Sequence, residues 1–210
     1  MRRILRTGDD VSAVEDASLW SLHLGSIEFG WIGFVDDFRI DEEKLLYYEL
    51  GQLFDHENFP DAGNYSTKGR SGMPLHDLMK TMGLAIVSRQ LMLMLKSFNL
   101  HTVEFKPLPL FDNDDRHKAP LDYYIVFFRE QEAQFDASNS SGFDDLGPFI
   151  SSHHEHEFAF VSRHFPKDEV WKAERLKNIV CFTGGFAKDF MSLSLPDLCL
   201  RECLITTASE

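Results

Sequence analysis

The sequence is poor in basic side chains and cysteines, and it contains no long apolar run. Its 21 lysines and arginines stand against 34 aspartates and glutamates, which gives a net charge of −13. This balance disfavours a surface for duplex nucleic acid, because affinity for phosphates depends on cations that displace counterions. No apolar run reaches the roughly 18 residues that a bilayer-spanning helix needs, so no membrane contact is expected.

The cysteines and the first residues indicate a cytoplasmic protein. Cys181, Cys199 and Cys203 make an odd number without a disulfide framework, as expected in a reducing compartment. The chain begins with basic residues, but only Ile4 and Leu5 follow before polar and acidic residues resume, so no signal-peptide core is predicted. Cys199 and Cys203 would share one helix face, and we interpret them as small core residues rather than a metal-binding pair.

The chain is long and apolar enough to form a core without a disulfide, a metal or a cofactor. It has 210 residues, of which 43% are hydrophobic, with 19 phenylalanines among them. Residues 55–74 are rich in Gly, Pro, Asn, Ser and Asp and predict a long loop. This loop divides the chain into an acidic N-terminal lobe, residues 1–74, which forms either a separate lobe or part of one domain, and an α+β domain at residues 75–210.

Local patterns predict three helices and several strands. Asp41 is a candidate N-cap for a helix that continues to about Leu53, and Ser88 can cap a second helix from Arg89 to Phe98. A third helix is predicted from about Leu195 to Cys203, after the turn at Gly184 and Gly185. Strands are expected near residues 103–108, 123–128, 158–162 and 178–182. No internal repeat is evident, and the predicted fold is α+β with a mainly antiparallel sheet.

A histidine-rich segment, His153–His156, is a candidate metal site. If this segment is extended, His154 and His156 point to the same face and supply two ligands for zinc, iron or manganese. A third ligand has to come from a distant part of the chain, such as His117 or Asp136. A metal-dependent enzyme is therefore the alternative functional hypothesis, and a solvated loop that leads into a strand is the other interpretation of this segment.

Acidic pairs near the N-terminus are candidates for binding a basic partner. Residues 1–60 hold 13 acidic and 5 basic side chains, and Asp36, Asp37, Glu42 and Glu43 lie in this stretch. Adjacent carboxylates diverge on a strand and lie about 100° apart on a helix, so none of these pairs forms a catalytic dyad. The sequence also lacks a P-loop, a GxGxxG fingerprint, a GxSxG elbow and an HExxH motif. We therefore expect a binding protein rather than an enzyme, with these four acids at the contact.

Residues 76–140 resemble a family of bacterial immunity proteins. The resemblance is carried by Ile86-Val87-Ser88, Leu91 and Leu95 of the following helix, the strand Val103-Glu104-Phe105 with Pro107 and Leu110, Tyr123-Tyr124, and Asp136 with Ser138. The family is the eleventh in the usual numbering of polymorphic-toxin immunity proteins and was formerly a domain of unknown function. The resemblance implies a cytoplasmic protein that binds and neutralises a cognate toxin, often one delivered between bacteria by a secretion system.

Overall fold

The computed structural model describes residues 3–23, 32–34, 41–52, 55–65, 75–81, 83–98, 100–113, 117–119, 121–131, 135–141, 157–161, 169–173, 179–193 and 199–207. Within these residues the fold is α+β with mainly antiparallel sheets, as predicted. The helices are α1 (Glu42–Leu50), α2 (Arg89–Ser97) and α3 (Gly184–Ser192). The strands are β1 (Ile4–Arg6), β2 (Leu19–His23), β3 (Ile32–Phe34), β4 (Gly63–Tyr65), β5 (Leu78–Thr81), β6 (Leu84–Ser88), β7 (Val103–Pro107), β8 (Leu110–Asp112), β9 (Tyr123–Phe128), β10 (Glu130–Gln131), β11 (Ala159–Val161), β12 (Val170–Ala173), β13 (Ile179–Thr183) and β14 (Cys199–Thr206).

The described strands form two large sheets and a small one. One large sheet has the order β5-β6-β9-β7, and the other has the order β1-β14-β2-β13-β12-β10, with β11 paired to the end of β14. The small sheet has the order β3-β4-β8. The chain passes from β9 through Arg129 into β10, and the Lys172 amide on β12 donates to the Arg129 carbonyl at 3.3 Å. The two large sheets therefore meet at Arg129.

The first 74 residues contribute strands to the same sheet as the C-terminal part of the chain. Strand β2 lies between β13 and β14, so that Trp20 is opposite Phe182 on one side and Glu202 on the other.

Among the described residues, no helix is long and apolar enough to cross a membrane.

The two large sheets contain the same structural unit, although the sequence shows no repeat. The first unit consists of β5, β6, α2, β7 and β9, with β9 between β6 and β7. The second unit consists of β12, β13, α3, β14 and β2, with β2 between β13 and β14. In each unit a hairpin leads directly into a helix, and a strand from another part of the chain fills the centre of the sheet. In the first unit this central strand is β9, which comes after the other strands of the unit in the chain. In the second unit it is β2, which comes before them, near the N-terminus.

The helices of the two units begin in the same way. Ser88 and Thr183 are the N-caps, and their hydroxyl oxygens accept from the amides three residues further on, at 3.3 and 3.4 Å. Their own amides donate to the carbonyls of Asp77 and Glu169, the acidic residues before the first strand of each unit, at 2.9 and 3.0 Å. The hydroxyls of both caps also donate to the carboxylates of these acids.

Further hydrogen bonds repeat at the start of each helix. The amides of Arg89 and Gly184 donate to the carbonyls of Asp122 and Ser18, which precede β9 and β2, at 2.8 and 2.7 Å. The matching register also places a buried lysine at the third position of the first strand, Lys80 in one unit and Lys172 in the other.

Helices α2 and α3 pack into a shared core. Phe98 at the end of α2 contacts Phe186 of α3, with ring centroids 4.7 Å apart. The opposite face of the first unit is covered by residues of α1 and the small sheet, and that of the second unit is covered by residues around Phe158 and Phe160. Both large sheets are therefore buried on two faces, which accounts for the continuous apolar runs in β6, β9 and β13.

Two helix predictions are confirmed and the third is wrong. Asp41 caps α1 and Ser88 caps α2, as expected. The predicted helix from Leu195 to Cys203 is instead partly strand β14, and α3 begins where a turn was expected. Pairing of β14 with β1, β2 and β11 outweighs the local helix signal. Cys199 and Cys203 therefore do not share a helix face.

Candidate partner-binding surface

Two of the four predicted contact residues lie in the first turn of α1. Glu42 and Glu43 are exposed there and follow the N-cap Asp41, whose carboxylate accepts from the Glu43 and Lys44 amides at 3.0 and 3.3 Å. Carboxylates are favoured at this end of a helix because the aligned peptide dipoles leave a partial positive charge there. Asp36 and Asp37 lie outside the described residues.

A second acidic segment lies against α1. Asp55 caps the short 3₁₀ helix His56–Asn58, and the Asn58 side chain accepts a hydrogen bond from the Lys44 ammonium of α1. Asp55 and Glu57 are exposed in this segment, as is Asp61 a few residues further on. The segment therefore adds three carboxylates beside the first turn of α1.

The buried Lys106 holds this acidic segment in place. Its ammonium donates to the carbonyls of His56 and Phe59 at 2.7 and 2.6 Å, and it lies 2.7 Å from the Asp61 carboxylate. A side-chain hydrogen bond and the charge of this ammonium lower the pKa of Asp61. Through these contacts Lys106 links the segment to strand β7.

We call this surface the acidic face; it comprises six exposed acidic residues: Asp41, Glu42, Glu43, Asp55, Glu57 and Asp61. Tyr47 extends the face by one helical turn, because it lies four residues after Glu43 and is 42% exposed. Tyrosine is enriched at protein interfaces because its ring supplies contact area and its hydroxyl a hydrogen bond. A carboxylate cluster beside an exposed tyrosine suits the binding of a basic protein surface.

The opposite side of α1 is anchored in the core. The buried Tyr48 hydroxyl donates to the Val126 carbonyl of β9 at 2.7 Å and accepts from the Ala85 amide of β6 at 3.0 Å. The Lys172 ammonium donates to the carbonyls of Tyr48 and Glu49 at 2.9 and 3.0 Å, near the C-terminal end of the helix. Helix α1 is thus attached to both large sheets, and the acidic face has a fixed position.

The metal-site prediction lies largely outside the described residues. His153–His156 fall in a part of the chain that the structure does not describe. Asp136, suggested as a distant third ligand, makes hydrogen bonds within the chain: its carboxylate accepts from the side-chain amide of Asn139 at 2.9 Å and from the Thr206 hydroxyl at 2.8 Å. These side-chain hydrogen bonds lower its pKa. Within the described ranges, no group of three or more potential metal ligands is found.

Sequence reasoning identified only part of the acidic face. Asp55, Glu57 and Asp61 fall in a segment predicted as a loop, and only the tertiary contacts of Lys44 and Lys106 bring them beside α1. Tyr47 could have been found, because its spacing from Glu43 places both on one face of the predicted helix.

Comparison of the chain with protein-family models finds no match, and comparison with curated proteins finds none either. The resemblance of residues 76–140 to the immunity family therefore stays a prediction.

Proposed function

We propose that this protein is a cytoplasmic immunity protein, which binds a cognate bacterial toxin and neutralises it by occlusion. The observation that carries the proposal is the acidic face, which combines three carboxylates and Tyr47 of the anchored helix α1 and its N-cap with three carboxylates of the adjoining segment. Its role is to dock onto a macromolecule rather than to transform a substrate, and the family resemblance of residues 76–140 supports the same role.

Electrostatics support a basic partner. A chain with a net charge of −13 attracts cationic proteins over long distances, and a clustered acidic surface orients the encounter. Occlusion requires an interface of standard size, on the order of 1,600 Å² in total. The acidic face is one part of such an interface, and neighbouring surface supplies the rest.

The rigid attachment of α1 also supports a docking role. Tyr48 and Lys172 fix the helix before any partner arrives, so little conformational entropy is lost when the complex forms. A surface of this kind binds without rearranging its backbone, as most tight protein inhibitors do.

Co-expression of the chain with the product of the adjacent gene tests this function. The expected result is a stoichiometric complex in size-exclusion chromatography and loss of the partner's toxicity in cells. A double variant, Glu42→Lys with Glu43→Lys, should weaken the complex at least tenfold. The matched control is Asp189→Lys, which changes an exposed acid on α3 and should have a small effect.

The absence of any complex with that gene product would contradict the proposed function. Equal weakening by the α1 variant and the Asp189→Lys control would contradict the assignment of the acidic face as the contact surface.

A further inference from the structure

The two structural units differ in how the strand after the helix is covered. In the first unit, the Leu108 amide donates to the carbonyl of Tyr123, the first residue of β9, at 2.9 Å. In the second unit, Cys203 pairs with Leu19, the first residue of β2. Leu108 and Cys203 therefore occupy corresponding positions. Two residues further on, Leu110 corresponds to Ile205.

In the first unit, strand β8 begins at Leu110, and both of its edges are hydrogen-bonded to other parts of the chain. Strand β4 pairs with it in parallel on one edge. On the other edge, residues 117–119 run antiparallel to it just before β9 begins. There the Ala119 amide donates to the Leu110 carbonyl at 2.7 Å, and the Asp112 amide donates to the His117 carbonyl at 2.8 Å. Both edges of this strand are thus hydrogen-bonded within the chain.

In the second unit, the described residues cover only one of the corresponding edges. Strand β11 pairs in parallel with the end of β14, and the Leu204 amide donates to the Phe158 carbonyl at 2.8 Å. On the other edge, the chain before β2 turns away, with the Ser18 amide donating to the Glu15 carbonyl at 3.0 Å. Among the described residues, no strand pairs with Ile205 on this edge.

The uncovered edge borders a cleft of about 400 Å³. Glu15 and residues 17–19 line one side of it, and Glu202–Ile205 line the other. Leu204 and Ile205 are 42% and 37% exposed, which places them among the most exposed large apolar side chains that the structure describes. The cleft lies at the position that residues 117–119 fill in the first unit.

We propose that this cleft binds an extended basic segment of the partner protein, which adds to β14 as an antiparallel strand. By analogy with residues 117–119, the bound segment donates to the Ile205 carbonyl and accepts from the Thr207 amide. Leu204 and Ile205 supply apolar contacts, as in other complexes formed by strand addition. The identity of the partner rests on the proposed function, whereas the binding of an extended segment does not.

Charge selects a basic segment rather than a second copy of this chain. Glu15 is exposed at the rim of the cleft and supplies a negative charge there. The segment that covers the first unit carries His117 and Lys118, so it provides a basic example of a fitting strand. Two copies with a net charge of −13 each repel one another.

A peptide copied from the chain itself tests the proposal. The probe is residues Arg116 to Leu121, acetylated and amidated, titrated into the ¹⁵N-labelled full chain and followed by NMR. We expect saturable shifts confined to amides of residues 15–19 and 202–207. A matched peptide with Arg116→Glu and Lys118→Glu should cause no such shifts.

The variant Thr207→Pro removes one donor at an exposed position and should weaken binding about fivefold, the loss of about one hydrogen bond. Glu15→Gln should weaken it as well and keeps the test valid if the proline variant misfolds.

Three results of the NMR experiments would overturn the inference. The first is the absence of shifts at residues 202–207 with millimolar peptide. The second is equal binding of the acidic peptide. The third is a set of shifts at the same residues that depends on protein concentration in the absence of peptide, because the occupant would then be a second copy.

Peptide binding at the cleft without any complex with a toxin would uphold the inference and count against the proposed function alone. A toxin complex that is unaffected by both variants would uphold the function but overturn the inference, because the cleft would then lie outside the interface.

Discussion

Lys172 is a charged side chain at the junction of the two large sheets, and it is only 1% exposed. Its ammonium donates to two carbonyls at the end of α1 and lies 5.1 Å from the centre of the Tyr48 ring. Burial of an ammonium is costly unless it is well hydrogen-bonded. A cation at the C-terminal end of a helix is favourable, since the peptide dipoles leave a partial negative charge there. Lys172 therefore links the helix that carries the acidic face to the core.

Replacement of Lys172 should destabilise the protein. Lys172→Met keeps the length of the side chain but removes the donor, so the carbonyls of Tyr48 and Glu49 lose a charged hydrogen-bond partner. We expect a loss of about 3 kcal/mol in the free energy of unfolding, measured by urea denaturation. The control Lys96→Met changes an exposed lysine of α2 and should lie within about 0.5 kcal/mol of wild type. Equal stability of both variants would show that Lys172 does not anchor α1.

We expect Tyr123 to make the protein sensitive to alkaline pH. Burial, with a smaller contribution from the charge of Asp77, raises its pKa from 10.0 to about 12. The folded state thus holds the proton more tightly than the unfolded state, so this stabilisation is complete below pH 10 and is lost as pH rises through about 12. The Tyr123 hydroxyl is buried and finds no hydrogen-bond partner among the residues that the structure describes. Tyr123→Phe should therefore leave stability at neutral pH unchanged or increase it.

Denaturation of this variant at several pH values checks the effect. Tyr123→Phe should lose less stability than wild type between pH 10 and pH 12. Tyr124→Phe retains Tyr123 and should follow wild type. A Tyr123→Phe variant with the full alkaline loss would refute this account.

The elements with complete local signals were predictable. Helices α1 and α2 each have a capping side chain followed by apolar residues at helical spacing, and the structure has both helices. The start of α3 was not predictable, because Gly184 and Gly185 resemble a turn. A glycine is required at position 184 because of a contact with a distant part of the chain. A Cβ atom on residue 184 would lie 1.8 Å from the Glu15 carbonyl oxygen. The glycine is needed for close packing, a tertiary requirement that local sequence does not reveal.

The two adjacent glycines provide a matched pair for a stability test. Gly184→Ala places a methyl group against the backbone of Glu15 and should cost at least about 2 kcal/mol. Gly185→Ala meets no atom closer than 3.9 Å and should be neutral or stabilising by up to about 1 kcal/mol, because alanine favours the helix. Thermal unfolding of both variants measures the difference. Equal stability of the two would mean that α3 does not pack closely against residue 15.

The whole chain shows why the repeat escapes sequence inspection. The two hairpins have turns of different length, since β5 and β6 are separated by residues 82–83 and β12 and β13 by residues 174–178. The central strand comes after the first unit but before the second. What recurs is a buried lysine, a hydroxyl cap and an acidic residue before the hairpin. The acidic character of the N-terminal part was predictable, but the assembly of the acidic face depended on contacts that only the folded chain provides.

The dependence of the association rate on salt is the most direct test of the proposed docking to a basic partner. It is measured by stopped-flow mixing of the chain with the purified product of the adjacent gene at ionic strengths on either side of physiological. We predict that association slows by at least tenfold as salt rises, and that the Glu42→Lys, Glu43→Lys variant flattens this dependence. An association rate that is independent of salt, and equal in wild type and variant, would contradict electrostatic docking through the acidic face.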